Sequence, residues 1–233
     1  MADTVWGFVE RRTPIRRQDP ATWPERQPSN LSFRSLKRRP VFRPLVDNER
    51  LRSALDDILG PGGWAPPKRQ ATILLSFPTP GPWTMPDAWH MDCGFEVPTW
   101  PVPMVRMFSF FGPVAPAGGG TLLLEGGHHL VERYMKTIPV PTGGNMRTWG
   151  RFLRQHPWLD ALRRGGTADE SRRDMLGVGV EVDGVEIRAV ELTGEPGDLV
   201  LAHLHVFHSA APNVSDRPRQ MLSASVLPAR APA

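Results

Sequence analysis

Short apolar segments, each bounded by proline or glycine, constrain the fold of this 233-residue chain more than any other feature. Segments of this length suit buried strands and are too short for most helices. Two of them flank Asp183-Gly184, a dipeptide typical of a type I′ hairpin turn. We predict seven or eight short strands, at residues 71–77, around 90, 104–111, 121–124, 178–182, 185–191, 199–206 and 220–227. This pattern favours a mainly β fold with flanking helices, built as two packed sheets or a barrel.

Three other stretches have helical character. Asn48 is a good N-cap, Leu51 and Leu55 follow it at helical spacing, and Gly60 ends the segment. A short helix is predicted at residues 130–136. Residues 143–174 carry aromatic and leucine residues at helical spacings, with many arginines between them. This stretch is either a lid-like insertion beside a pocket or a helical pair packed on the sheet, and spacing does not decide between the two.

Length and charge indicate a single domain, residues 1–233, with a basic N-terminal arm. The first 50 residues carry eleven Lys and Arg against six Asp and Glu, whereas the remainder carries seventeen against eighteen. The arm, about residues 1–45, can bind nucleic acid or an anionic substrate. Alternatively, it packs along the domain through its apolar residues, Trp6, Trp23, Phe33 and Phe42. We favour packing, because prolines interrupt the arginines and no helical stripe of charge results.

Other features exclude several classes of protein. Cys93 is the single cysteine, which excludes an internal disulfide and a zinc site built on cysteines. No charge-free apolar run reaches the length of a membrane-spanning helix, and Arg106 interrupts the best candidate, residues 102–114. The N-terminus lacks the apolar core of a signal peptide. We therefore expect a cytoplasmic protein without a membrane partner.

The stretch Trp89-His90-Met91-Asp92 offers two metal ligands. Alternate side chains of a strand share a face, so His90 and Asp92 point the same way and Met91 points opposite. An imidazole and a carboxylate are two of the three protein ligands of a facial non-haem iron site, which also needs a second histidine. A His-x-Asp sequence alone is not specific, because ordinary solvated strands carry it too.

A second group of histidines lies far downstream, at His203, His205 and His208. His203 and His205 share one face of the predicted strand, and His208 falls on the other unless a bulge intervenes. Turn signals around Asn213 predict an antiparallel return that places His208 roughly opposite Arg219. A guanidinium buried there needs an anion, and its planar fork suits a carboxylate. Alternatively, Arg217 and Arg219 are ordinary solvated charges and the histidines are polar residues at a strand end. Spacing alone supports the two interpretations equally.

Taken together, the motifs resemble those of the phytanoyl-CoA dioxygenase family. They are Trp-His-x-Asp at 89–92, Gly-Gly-Thr-Leu-x-Leu-x-Gly-x-His at 119–128, and a segment at 197–219 that begins Gly-Asp-Leu-Val and ends Pro-Arg. The resemblance spans about residues 47–227. Members of this family are Fe(II)/2-oxoglutarate-dependent oxygenases on a double-stranded β-helix, a jelly-roll or cupin-like fold. The resemblance therefore implies that fold here.

The resemblance also implies roles for five residues. His90, Asp92 and His208 match the iron ligands of the family. Arg219 matches the arginine that receives the distal carboxylate of 2-oxoglutarate, and Thr121 is a candidate for a second contact with this cofactor. The expected cofactors are thus Fe(II) and 2-oxoglutarate.

Other positions are either structural or depart from the family pattern. His128 matches a structural turn position, and His203 and His205 are interpreted as packing residues. Met91 stands where relatives often carry a polar residue that helps to hold the cofactor, and Ala210 lacks a hydroxyl found in some members. None of these departures removes an iron ligand.

The expected partners are O₂ and a small-molecule substrate, with hydroxylation of an unactivated C–H bond and release of succinate and CO₂. Asp92 favours hydroxylation over halogenation, because related halogenases carry a small residue at that position. Candidates for either the pocket lining or the core are Trp83, Met85, Trp89, Met104 and Arg106. If they line the pocket, the substrate is mostly apolar with one anionic group.

Two alternatives to this function remain from the sequence. One is a jelly-roll metal-binding protein without oxygenase activity, because imidazole and carboxylate ligands also bind zinc and nickel. The other is an oxygenase directed to nucleic acid by the basic arm. The sequence does not indicate an oligomeric state.

Overall fold

The protein is built mainly from antiparallel β-structure. A computed structural model describes residues 1–25, 31–66, 72–138, 143–165 and 175–229. The strands in these ranges are β1 (Trp64–Ala65), β2 (Thr72–Ser76), β3 (Val105–Phe110), β4 (Thr121–Glu125), β5 (Val180–Val182), β6 (Val185–Glu191), β7 (Leu199–His203), β8 (His208–Ala210) and β9 (Arg219–Pro228). The α-helices are α1 (Ala2–Glu10), α2 (Arg43–Val46), α3 (Glu49–Leu59), α4 (Gly127–Met135), α5 (Met146–Leu153) and α6 (Pro157–Arg164). No helix in these ranges is long and apolar enough to cross a membrane.

The strands form two sheets. The first has the order β1-β9-β3-β7, with β2 also paired to β9, and the second has the order β5-β6-β4-β8. Every pair of named strands is antiparallel. From β6 to β9 the chain alternates between the two sheets, which is the connection pattern of a jelly roll. The predicted fold class, mainly β with flanking helices in a double-stranded β-helix, is confirmed.

A small apolar cluster fills the space between the sheets. Alternation along β3 turns Phe108 and Phe110 into this space, whereas Val105 and Met107 point to the outer face. The buried members of the inner cluster are Phe108, Phe110, Val114, Leu123, Leu192, Val206 and Met221. The inner face of β9 therefore includes Met221 and the residues that share its parity.

The N-terminal arm covers the outer face of the first sheet. Its apolar side chains are buried in one cluster with residues of β2, β3 and β9. The members of this cluster that belong to the arm are Val5, Trp6, Phe8, Val9, Ile15, Leu31, Phe33, Leu36 and Phe42. The prediction that the arm packs along the domain is thus confirmed for these side chains, although the sequence did not predict helix α1.

Helices α4, α5 and α6 cover the outer face of the second sheet. Phe152, Leu159 and Leu162 are buried there against apolar residues of β4 and β6. Trp83, Met85 and Trp89 belong to the same cluster and are buried, so these candidate lining residues are part of the core. The predicted helical stretch at 143–174 contains α5 and α6 as a packed pair, and its residues 166–174 lie outside the described part of the chain.

The helix-capping and turn residues adopt the conformations predicted for them. Asn48 caps α3 by accepting a hydrogen bond from the N–H of Leu51, and Gly60 follows the helix with a φ of 85°. Asp183 and Gly184 have φ angles of 49° and 70°, as the first and second central residues of a type I′ turn require. The strands, however, differ from prediction at their ends, since β7 stops at His203 rather than at residue 206.

Two predictions about the strands near the histidines are wrong. The stretch around His90 is not a regular strand: it makes one bridge, to His208, and the chain then bends. β8 and β9 do not form a hairpin with His208 opposite Arg219. β8 pairs with β4 in the second sheet, whereas β9 begins in the first sheet with Arg219 opposite Ser76. The loop between them crosses from sheet to sheet, a step that turn residues alone do not specify.

We expect Trp6→Ala to lower the free energy of unfolding by about 3–5 kcal/mol, the usual cost of emptying a buried aromatic site. The Trp6 side chain is 2% exposed, and its Nε1–H donates to Oε1 of Gln220 at 3.0 Å. Trp100→Ala is the matched control because Trp100 is 75% exposed, and it should change stability by less than about 0.5 kcal/mol. Urea unfolding measures both variants, and equal losses would contradict the packing of the arm.

Candidate metal centre

A pair of backbone hydrogen bonds joins His90 to His208. The N–H of His90 donates to the carbonyl oxygen of His208 at 3.0 Å, and the N–H of His208 donates to the carbonyl oxygen of His90 at 2.8 Å. Residues paired in this way project their side chains to the same face. The two imidazole centroids are accordingly 4.3 Å apart. The bridge therefore brings together two histidines from distant parts of the sequence.

A backbone carbonyl orients each of these imidazoles. Nδ1 of His90 lies 2.9 Å from the carbonyl oxygen of Ala88, and Nδ1 of His208 lies 3.1 Å from that of Val206. A carbonyl oxygen only accepts hydrogen bonds, so in the neutral form of each ring Nδ1 carries the proton and Nε2 presents its lone pair. Burial lowers the pKa of His208, while the charge of Asp92 acts in the opposite direction. Both rings thus have the tautomer that a metal ligand needs.

Asp92 completes a cluster of three possible ligands. One ligand atom from each of His90, Asp92 and His208 lies within 4.8 Å of the other two. Oδ2 of Asp92 is 3.6 Å from Nε2 of His208, less than twice a metal–ligand bond of about 2.1 Å. No second group of this kind is found among the described residues. Two imidazoles and a carboxylate on one side suit a divalent metal such as iron, and the same donors bind zinc or nickel.

The neighbouring histidines are engaged elsewhere. Nε2 of His203 lies 3.1 Å from the carbonyl oxygen of Thr99, and its Nδ1 accepts the N–H of His205 at 3.2 Å. Nε2 of His205 lies 3.0 Å from the carbonyl oxygen of Val97. These contacts hold the loop that follows Asp92. Spacing left open which of the three downstream histidines joins the cluster, and His208 is the one that lies beside His90 and Asp92.

His128 packs against this second histidine group and not against the metal cluster. Its ring centroid is 5.1 Å from that of His203 and 3.9 Å from that of His129. Burial lowers the pKa of both His128 and His205 to about 4. These side chains are neutral at ordinary pH, as expected for packing residues.

Arg219, the first residue of β9, is a buried cation. Arg219 is 8% exposed, and its Nη1–H donates to the carbonyl oxygen of Gly119 at 2.7 Å. Its Nε is buried without a hydrogen-bond acceptor. Burial lowers the pKa of Arg219 to about 10, opposed by the negative charge of Glu191. A buried guanidinium with a donor to spare is the arrangement that an incoming carboxylate satisfies.

Glu191 supports the loop that Arg219 contacts, and sequence reasoning did not identify it. Its carboxylate accepts the N–H of Ala117 at 2.8 Å and the N–H of Gly120 at 2.9 Å. Burial raises the pKa of Glu191 despite these hydrogen bonds. The loop also needs its glycines: a Cβ at Gly120 would lie 2.1 Å from the carbonyl oxygen of Leu192. The backbone around Gly119 is thereby fixed against both sheets.

Thr121 lies next to this loop. It is buried, opens β4 opposite Ala210, and shares the parity of the inward-facing Leu123. The carbonyl of Gly119, which Arg219 binds, is two residues before it. Thr121 and Arg219 are therefore brought to the same end of the space between the sheets.

Arg106 is a second basic side chain at the cluster, on β3. Its Nε lies 3.1 Å from Oδ2 of Asp92, its Nη1–H donates to Oγ of Ser225 at 2.9 Å, and its Nη2–H donates to Oγ of Ser223 at 3.4 Å. A charged residue inside a mostly apolar strand was the sequence signal for it. The contact with Asp92 itself could not be read from the sequence.

Helix α5 borders the same region. The Trp149 ring centroid lies 6.0 Å from that of His90, and Nε1–H of Trp149 donates to the carbonyl oxygen of Cys93 at 3.2 Å. Burial, together with the charges of Glu96 and Asp92, raises the pKa of Cys93 to about 12, so this thiol stays protonated. The helical pair thus packs on the sheet and also flanks the metal cluster.

The fold and the site define a class: jelly-roll proteins with a candidate two-histidine, one-carboxylate metal centre. A sequence profile described as phytanoyl-CoA dioxygenase (PhyH) matches residues 15–221. The chain belongs to this family. No curated protein matches it by sequence.

Several solved structures are similar at low sequence identity. The epimerase SnoN in complex with Fe³⁺, alpha ketoglutarate and nogalamycin RO is 18% identical with a TM-score of 0.47, covering 81% of this chain and 59% of SnoN. The nickel complex of the non-heme monooxygenase ThoJ is 16% identical with a TM-score of 0.41, covering 77% of this chain and 50% of ThoJ. AviO1 from Streptomyces viridochromogenes Tue57 is 17% identical with a TM-score of 0.44, covering 90% of this chain and 66% of AviO1. The chain thus spans only part of the length of these proteins.

We expect the free energy of unfolding of the metal-free protein to fall as the pH is lowered from 6.5 to about 4. Below 6.5 the unfolded chain protonates His205, whereas the folded chain keeps it neutral down to about pH 4. The unfolded state therefore binds more protons in this window, and acid destabilises the fold. His205→Gln should make this fall less steep in urea titrations with a chelator present. His129→Gln, at an exposed position, is the control, and an unchanged slope for His205→Gln would contradict the account.

Proposed function

We propose that the protein is an Fe(II)/2-oxoglutarate-dependent oxygenase. In this proposal it hydroxylates, or otherwise oxidises, an unactivated C–H bond of a small, mostly apolar metabolite and releases succinate and CO₂. The observation that carries the proposal is that two groups of polar side chains face the same space between the sheets. Three potential metal ligands, His90, Asp92 and His208, lie close together, and the Nε of the buried Arg219 makes no hydrogen bond.

The residues present fit both cofactors. His90, Asp92 and His208 would hold Fe(II) and leave the opposite face of the metal open. Arg219 would hold the distal carboxylate of 2-oxoglutarate, and Thr121 would make a second contact with this cofactor. When bound, iron and 2-oxoglutarate supply the chemistry that activates O₂, while the protein supplies ligation, orientation and exclusion of side reactions.

The chain itself limits the reaction in two ways. Asp92 provides a carboxylate at the position where a halogenating site would need space for a halide, so oxygen insertion is favoured over halogenation. Phe108 lies close to the metal cluster, with its ring centroid 6.1 Å from that of His208, and belongs to the apolar inner cluster. An apolar surface beside the metal cluster keeps water from the reacting carbon and suits a mostly apolar substrate.

The remaining sequence-based alternatives lead to different results. A metal-binding jelly roll without oxygenase activity would bind Fe(II) or Zn(II) and ignore 2-oxoglutarate. For the nucleic-acid alternative, the aromatic residues Trp6, Phe33 and Phe42 of the basic arm are buried and unavailable for stacking on bases. The tests below therefore include only the metal-binding jelly roll without oxygenase activity as an alternative outcome.

His90→Ala and Asp92→Ala should each abolish iron-dependent conversion of 2-oxoglutarate to succinate, because two remaining ligands do not hold the metal in a defined geometry. The matched control is His129→Ala, which removes an exposed imidazole outside the cluster and should leave turnover unchanged. Succinate formation under air, with Fe(II) and ascorbate, is the measurement. Normal turnover in either cluster variant would remove the assignment of the ligands.

Arg219→Met should raise the KM for 2-oxoglutarate by about tenfold or more, because it removes charge-assisted hydrogen bonds worth about 1.5–3 kcal/mol. The control is Arg217→Met, two residues away, whose side chain is 72% exposed. Uncoupled turnover of 2-oxoglutarate provides the assay. An equal KM for the Arg219 variant and the wild type would contradict the proposed contact.

A further inference from the structure

Arg106 and Arg219 lie on opposite sides of the metal cluster along the inner face of β9. The residues of β9 that share the parity of the inward-facing Met221 are Arg219, Ser223 and Ser225. Ser223 is opposite Phe108, whose ring neighbours His208, and Ser225 is opposite Arg106. Arg219 is four residues before Ser223, about 13 Å along the strand. The metal cluster is thus close to the level of Ser223, with one arginine on each side of it.

Arg106 is held in place but not satisfied. Ser225 and Ser223 accept hydrogen bonds from its two Nη groups. Its Nε is ion-paired with Oδ2 of Asp92 at 3.1 Å but makes no hydrogen bond. A buried donor without an acceptor is costly, and a missing ligand is a usual explanation. The Nε of Arg219 is also buried and makes no hydrogen bond.

Metal binding would also change the electrostatic environment of Arg106. Asp92 is the only carboxylate within 4.0 Å of Arg106 in the described part of the chain. Once Asp92 ligates a divalent metal, its charge is shared with that metal. Arg106 is then left at the metal without a counter-ion of its own, and such a guanidinium favours a second carboxylate.

The orientation of 2-oxoglutarate supplies that carboxylate, so this step rests on the proposed function. A molecule whose distal carboxylate reaches Arg219 and whose keto-acid end binds the metal points its C1 carboxylate away from Arg219. Arg106 lies on that far side. We propose that Arg106 binds the C1 carboxylate of 2-oxoglutarate, so that two arginines hold the two ends of the cofactor. Arg106 would thereby provide the contact that Met91, which is buried in the outer core, cannot make.

Binding of 2-oxoglutarate to the Zn(II)-saturated protein tests this without turnover. Calorimetry should show that Arg106→Met weakens 2-oxoglutarate binding by about tenfold or more, the loss expected for a charge-assisted hydrogen bond. Arg106→Lys, which keeps the charge but not the fork, should lose less. Arg188→Met is the matched control: Arg188 is ion-paired with Glu125, the two side chains are 42% and 55% exposed, and binding should be unchanged.

Two further measurements distinguish two roles of Arg106: binding 2-oxoglutarate directly, or only positioning Asp92. The Zn(II) affinity of each variant is measured first, and 2-oxoglutarate is added only to metal-saturated protein. The double variant Ser223→Ala/Ser225→Ala retains Arg106 but frees its Nη groups, and it should weaken 2-oxoglutarate binding by about threefold, less than Arg106→Met. It keeps the test available if Arg106→Met fails to fold.

The outcomes are distinct. If the wild-type Zn(II) protein does not bind 2-oxoglutarate, the proposed function fails. If the wild type binds it and metal-saturated Arg106→Met binds it within twofold, the assignment of Arg106 is overturned while the proposed function stands. A variant that loses Zn(II) affinity but keeps 2-oxoglutarate affinity also overturns it, because Arg106 would then only position Asp92.

Discussion

The candidate site depends on the two hydrogen bonds between the backbones of His90 and His208. Neither residue lies in a long strand: His90 makes a single bridge, and β8 spans only His208–Ala210. The bridge nevertheless fixes two imidazoles on one face, and the carbonyls of Ala88 and Val206 fix their tautomer. Asp92 needs only to follow His90 by two residues to join them. The candidate metal centre thus depends on local backbone geometry at the point where one distant contact is made.

Burial of charge is the second constraint. Arg219 and Arg106 face the space between the sheets, and the Nε of each makes no hydrogen bond, although that of Arg106 is 3.1 Å from Oδ2 of Asp92. Glu191 offsets part of the charge of Arg219, but its oxygens accept the N–H groups of Ala117 and Gly120. The protein therefore carries two arginines near its candidate metal ligands whose Nε groups make no hydrogen bond. An anionic ligand with two carboxylates would satisfy both, which is why the proposed cofactor and the positions of these arginines support each other.

The sequence predicted the strands and turns better than their assembly. Asp183-Gly184 and the Asn48 cap act locally, and both were read correctly, whereas strand periodicity failed around His90. The pairing of β8 with β4 was missed, because the loop around Asn213 crosses between sheets and turn residues do not specify that. Resemblance to the family, rather than spacing, selected His208 among three histidines. Glu191 and the contact of Arg106 with Asp92 could not be predicted, since both depend on strands brought together only by the fold.

The most direct test of the central claim is an anaerobic crystal structure with Fe(II) and 2-oxoglutarate. The account predicts iron bound by His90, Asp92 and His208, with 2-oxoglutarate chelating that iron and its distal carboxylate on Arg219. Iron at other side chains, or 2-oxoglutarate absent from a metal-loaded site, would contradict it.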